Sequence, residues 1–208
     1  MIAALRLSVF AVLAALTLTG QADAEAPKNP LPSPGVVETE ALHFFAKCIV
    51  DKSEARVKAV LDLEYPTKPY VDGIMDLAKT HGKCALGKTS MSGVLFPGAL
   101  AEASLRKDWD QAELTALLRT PDPAPTARSE IDYTGICLVL SHPQEVGALL
   151  FSDPKSKKAD EMISGLAPYL ANCVHKGQTL RINKAGLRAI TALAAYRLAD
   201  VNSATGKI

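Results

Sequence analysis

Beyond its first two dozen residues the chain has no apolar run approaching the roughly twenty residues that a membrane helix needs. The longest, Ile136 to Leu140, is closed off by Gly135 and Ser141. No membrane span is therefore expected once the N-terminus has been removed. Charge of one sign is lacking as well: the formal net charge is +1, with acids and bases interspersed. The densest basic cluster, Lys155-Ser156-Lys157-Lys158, is flanked by Asp153 and Asp160. It reads as a solvated loop, and a nucleic-acid partner is not expected. Catalytic signatures are missing too. The chain holds no G-x-S-x-G, no H-E-x-x-H and no S-x-x-K with its partner motifs. It has no Cys-x-x-Cys-His for covalent haem. Asp72 with Asp76, and Asp160 with Glu161, are the nearest approach to carboxylate pairs, and each is expected on the solvent side of a helix.

The N-terminus is what the rest is not. Arg6 supplies a positive start, Leu7 to Leu18 is an almost unbroken apolar run, and Ala22-Asp23-Ala24 offers the small-x-small pattern of a signal peptidase site. Residues 1–24 therefore read as a secretory signal peptide cleaved before Glu25, with a periplasmic or secreted destination. A disordered Pro-rich tail, 25–36, follows.

Four cysteines in an exported chain read as two disulfides, and four allow three connectivities. The spacing leans toward one of them. Cys48 and Cys84 are 36 residues apart, as are Cys137 and Cys173, and the second pair is the first shifted by 89. The same shift superimposes Val50 on Val139, Val57 on Val146, Leu61 on Leu150, Ile74 on Ile163 and Leu77 on Leu166. Coincidence at apolar positions is the mark of an internal repeat that preserves a core. Alanine-rich stretches near the module ends align at a shift of 91, matching Ala101 with Ala192 and Arg106 with Arg197.

Apolar residues recur at three- and four-residue steps throughout, as in Ala159, Ile163, Leu166, Leu170 and Cys173. The expected fold is all-α: two tandem modules of about four helices, 37–119 and 130–208, joined by a Pro-rich linker at 120–129. Each module is expected to close its own disulfide, Cys48 with Cys84 and Cys137 with Cys173, between helices that already pack together. Short second helices are expected around Glu54–Asp62 and His142–Phe151, the latter opened by a Ser141/Gln144 capping box. Pro168 should kink the third helix of module two, and Gln111–Arg119 should be an additional helix capped by Asp108 or Asp110.

The signal peptide, the FAxC run Phe45-Ala46-Lys47-Cys48 and the GALAEA run Gly98–Ala103 together resemble exported helical proteins of alphaproteobacteria that carry no assigned activity. The resemblance implies a compartment and no chemistry.

Two motif matches carry chemistry only on paper. Gly82-Lys83-Cys84-Ala85-Leu86-Gly87-Lys88-Thr89 fits the phosphate-binding G-x-x-x-x-G-K-[ST], which requires a strand before it and a helix after it. Here an amphipathic helix precedes and a loop follows, so the match is accidental. His43, His81, His142 and His175 each lie near a cysteine, but their spacings differ between modules and oxidised cysteines cannot ligate. No cofactor, metal or catalytic residue is therefore expected. Trp109, the single tryptophan, reads as packing for the additional helix. The leading expectation is a non-enzymatic helical repeat protein for binding or envelope maintenance, its partner unidentified, with another envelope protein as one candidate. The alternative is an enzyme or small-ligand carrier with a site between the modules. Convergent polar groups in a pocket would favour the alternative, and a broad exposed apolar patch the former.

Overall fold

The computed structural model describes residues 35–86, 93–119 and 125–204. The expected signal peptide (1–24), nearly all of the expected tail and the 120–124 portion of the linker lie outside the described residues. Every element within them is helical: α1 Val36–Leu61, α2 Lys68–Thr80, α3 Leu95–Asp108, α4 Gln111–Arg119, α5 Glu130–Ser141, α6 Pro143–Phe151, α7 Lys157–Leu166 and α8 Lys184–Ala204.

The apolar stripes explain these elements. On α1, Leu42, Phe45, Ala46, Ile49, Val57 and Leu61 are all buried, a helical period that leaves Lys47, Asp51 and Lys52 to solvent. The expected break into two helices in module one falls at Ser53, whose backbone leaves the helical region (φ −148°, ψ 43°), so α1 is two helical segments joined across a kink, the second reaching Leu61. In module two the equivalent residue, His142, has a similar backbone (φ −136°, ψ 52°), and Pro143, equivalent to Glu54, lacks an N–H and opens α6 as a separate helix. The capping box expected at Ser141 and Gln144 is absent: Ser141 ends α5, and His142 precedes α6 without a side-chain cap. Elsewhere the caps follow local chemistry. Ser129 accepts from the Asp132 amide, Ser156 from the Ala159 amide, and Asp110 from the amides of Ala112 and Glu113 while Glu113 reaches back to the Asp110 amide. Asp110, not Asp108, caps α4.

The third helix of each module stops short of its cysteine. The chain tightens into 3₁₀ turns, Gly82–Cys84 and Ala167–Cys173, so the expected Pro168 kink takes the form of a change of helix type. Both disulfides stay within their modules: Cys48–Cys84 with Cα atoms 5.8 Å apart and Cys137–Cys173 at 5.5 Å.

One apolar core runs through both halves. Its centre is the crossing of α3 and α8, where Gly98 lies so close to Ala189 that a Cβ at Gly98 would sit 2.5 Å from the Ala189 Cβ and 2.6 Å from its Cα. These two residues are equivalent under the 91-residue shift, so the halves meet through the same position on each, as at the axis of a two-fold pair. Guanidinium groups brace the halves across this axis. Arg106 donates to the carbonyls of Leu150 (2.6 Å) and Ser152 (2.5 Å), and Arg128 donates to the carbonyl of Leu63 (2.9 Å). Leu63 and Ser152 are again repeat equivalents. Each half thus holds the other by the loop between its second and third helical segments.

Candidate functional site

Crossing helices with loops tucked against them leave two clefts, and the repeat relates them. The first, a cavity of about 210 Å³, is walled by α1, α3, the Pro154–Lys155 loop, α7 and the start of α8. The second, about 40 Å³, is walled by α5, α8 and the Leu61–Tyr65 connection. Their linings correspond: Leu42 with Ile131, His43 with Asp132, Ala99 with Ile190, Glu102 with Leu193 and Pro154 with Tyr65. The architecture offers the same site twice.

The chemistry has diverged. In the second cleft, Leu193, Ile190, Tyr65 and Tyr70 fill the space, and the Arg197–Asp132 pair closes on itself. In the first, Glu102 and Arg188 face each other at 2% and 4% exposure. Arg188 Nε and Nη2 each donate to a Glu102 carboxylate oxygen at 2.8 Å, a bidentate pair. Arg106 Nη2 reaches the same carboxylate at 2.8 Å. Arg188 also donates from Nη2 to the Ser152 carbonyl at 2.9 Å and from Nη1 to Ser152 Oγ at 3.3 Å. Two guanidinium groups therefore share one buried carboxylate.

His43, from α1, borders the same group. Its Nδ1 lies 3.7 Å from Glu102 Oε1, beyond hydrogen-bond reach, and 21% of its side chain is exposed. Burial pushes its pKa below 6.5; Glu102 opposes this, and Arg188 and Arg106 reinforce it. The ring is neutral at pH 7, offering one donor and one acceptor. Burial, with Arg188 beside it, likewise lowers the pKa of Arg106, though Glu102 works the other way. His43, Glu102, Pro154 and Lys155 also border a second depression of about 450 Å³ that opens beside the first. Lys155 stands at the shared rim, tied to Glu40 at 2.7 Å.

The sequence motifs fare differently. The four cysteines occupy the two disulfides. His81 is held by Ser53 Oγ (2.8 Å) and the Leu77 carbonyl (3.0 Å), His175 contacts Glu130 (2.6 Å) and stacks on Tyr133, and His142 lies against Tyr169. The histidines share no centre, and among the described residues no group of three His, Cys, Asp or Glu could hold a metal ion. Asp72 and Asp76 are exposed partners of Lys68 and Arg56. Glu161 pairs with exposed Lys157 (3.6 Å), while Asp160 faces Lys184 (3.8 Å) at the mouth of the first cleft. The start of the P-loop match is a 3₁₀ turn following a helix, and Gly87 to Thr89 lie outside the described residues. Trp109 is half-buried against the core. Among the described residues the large exposed apolar side chains are Phe44, Val71, Met75, Leu86, Leu140 and Tyr169; Val71 and Met75 lie one turn apart on α2, and the others come from different elements. No helix of the described residues is long and apolar enough to cross a membrane.

Sequence reasoning passed over Glu102 and Arg188. Both sit in alanine-rich helices and were absorbed into the small-residue pattern. The available signal was a lone charge on an otherwise apolar face. Compared with known protein families, curated proteins and solved structures, the chain matches none.

Proposed function

We propose that this is an exported, non-enzymatic protein that binds a small molecule in the cleft between its modules. The observation that carries the reading is the asymmetry of the two repeat-related clefts. A network of buried charge is costly to build and adds little stability by itself. Its presence at 2% and 4% exposure in one cleft, where the other is filled by aliphatic and aromatic side chains beside a less buried Arg197–Asp132 pair, supports a use for that cleft. The groups there suit recognition: fixed donors, a neutral imidazole, and apolar walls from Leu42, Leu95 and Ile163. Among the described residues that line this cleft no hydroxyl nucleophile is hydrogen-bonded to a base, which favours binding over catalysis there. The scattered exposed apolar residues give a docked envelope protein less support than the cleft gives a small ligand.

Export is supported by the charged start, the apolar run, Ala22-Asp23-Ala24 and the two disulfides. N-terminal sequencing of protein from the periplasm or medium is expected to begin at Glu25. Ligand binding is tested by passing a small-molecule extract over the purified mature protein and identifying what is retained by mass spectrometry. Ala185→Trp, which places an indole in the cleft, should lose the retained species. Retention that is indifferent to this substitution would place binding elsewhere, and no retention would refute the reading.

A further inference from the structure

The charge inside the cleft narrows the class of ligand. Glu102 supplies one negative charge at 2% exposure, yet both Arg188 and Arg106 converge on it. The other acids nearby are at the rim: Asp153 and Asp160 are exposed, and Glu40 is engaged with Lys155. The buried Glu102–Arg188 pair is balanced, and Arg106, with 33% of its side chain exposed, adds a second cation at its outer edge.

The donors point the same way. Of the five N–H groups on Arg188, Nε and both on Nη2 are committed to Glu102 and Ser152, while Nη1 makes only the 3.3 Å contact to Ser152 Oγ. One N–H of Nη1 has no acceptor among the described residues. His43 has no hydrogen-bond partner among them either, its nearest charged neighbour being Glu102 at 3.7 Å. The outer wall adds Lys184, loosely matched to Asp160 at 3.8 Å. Beyond these groups the cavity is aliphatic, and at about 210 Å³ it is below the roughly 300–1,000 Å³ of sites for drug-sized ligands.

We infer that the cleft takes a small organic monoanion, a carboxylate with a short apolar body. The carboxylate accepts hydrogen bonds from Arg188 Nη1 and the His43 ring, and the apolar body lies along Leu42, Leu95 and Ile163. This rests on the reading of the cleft as a small-molecule site.

The test is calorimetric titration of the mature, oxidised protein with sodium hexanoate, hexan-1-ol and hexylamine at pH 7 and low salt, repeated with Ala185→Trp. Hexanoate is expected to bind at least tenfold more tightly than the alcohol or the amine, with the affinity lost in Ala185→Trp. Replacing His43 by Phe, which keeps the ring and removes the donor, should weaken hexanoate severalfold and leave hexanol unchanged. Should the alcohol or the amine bind as well as hexanoate and be lost in Ala185→Trp, the cleft stands as a site and the anion assignment is overturned. Hexanoate binding equally to Ala185→Trp would overturn the cleft itself. If none of the three binds, the monoanion assignment is overturned, whatever species the extract experiment retains.

Discussion

At the scale of single residues, the Glu102–Arg188 pair governs both stability and chemistry. Removing one partner leaves a buried charge behind, so Glu102→Ala should destabilise the protein by about 3–5 kcal/mol in urea unfolding. The sister cleft shows the alternative solution, an aliphatic residue at the position equivalent to Glu102. The double change Glu102→Leu with Arg188→Met should therefore lie much closer to the parent than Glu102→Ala does. A double variant no more stable than Glu102→Ala would mean that the cost is cavity and not charge.

His43 adds a pH dependence whose sign follows from its depressed pKa. Above about pH 7 the ring is neutral whether the chain is folded or not. Below the unfolded value of 6.5 the unfolded chain takes the proton first, so stability falls as pH drops toward the folded value. Urea midpoints measured from pH 8 to pH 5 should fall more steeply for the parent than for His43→Phe. Equal slopes would refute the assignment. None of this was legible in the sequence. A glutamate among alanines looks like a surface charge until the helix that covers it is known, and Arg188 reaches it from 86 residues away.

Elements are where the sequence spoke most clearly. The apolar stripes locate the helices, and the equal cysteine separations favour the two disulfides that form. The stripe of α1 locates its buried face, and the helix expected from Glu54 onward begins at the Ser53 kink. The crossing of α3 and α8 was hidden, since small residues permit close approach without dictating it. Gly98→Ala should push these helices apart and cost about 1–3 kcal/mol. Adding Ala189→Gly should rescue little, because the backbone atoms of residue 189 would remain 2.6 and 2.9 Å from the new methyl group. Gly165→Ala is the control. It lies in α7 with open space around it, so it should be neutral or stabilising by up to about 1 kcal/mol. Thermal melts of the three variants order them directly.

For the whole molecule, the disulfides and the core do different things. Each disulfide closes a stretch within one half (sequence separation 36) and should contribute about 4 kcal/mol by the chain-entropy estimate. Neither joins the halves. The halves are held by the α3–α8 crossing and by the arginine-to-carbonyl braces. A protease site placed at 120–124 should accordingly give a nicked protein that elutes as one species in native buffer and falls into two fragments in urea without any reductant. Fragments that part in native buffer would contradict the shared core, and fragments that stay joined in urea would contradict the disulfide pairing.

The position of Gly98 against Ala189 has a consequence for how such a molecule can specialise. Two identical chains meeting through this contact would form a homodimer with two identical clefts. Any residue that tuned one would appear in the other, so a costly buried ion would be borne twice. Joining the two halves in one chain removes that constraint. Position 102 can be glutamate while its counterpart, 193, is leucine, and each mutation is written into one cleft only. The linker thus serves as a device for breaking symmetry: one copy of the site is free to hold charge, while the other is free to hold the molecule together.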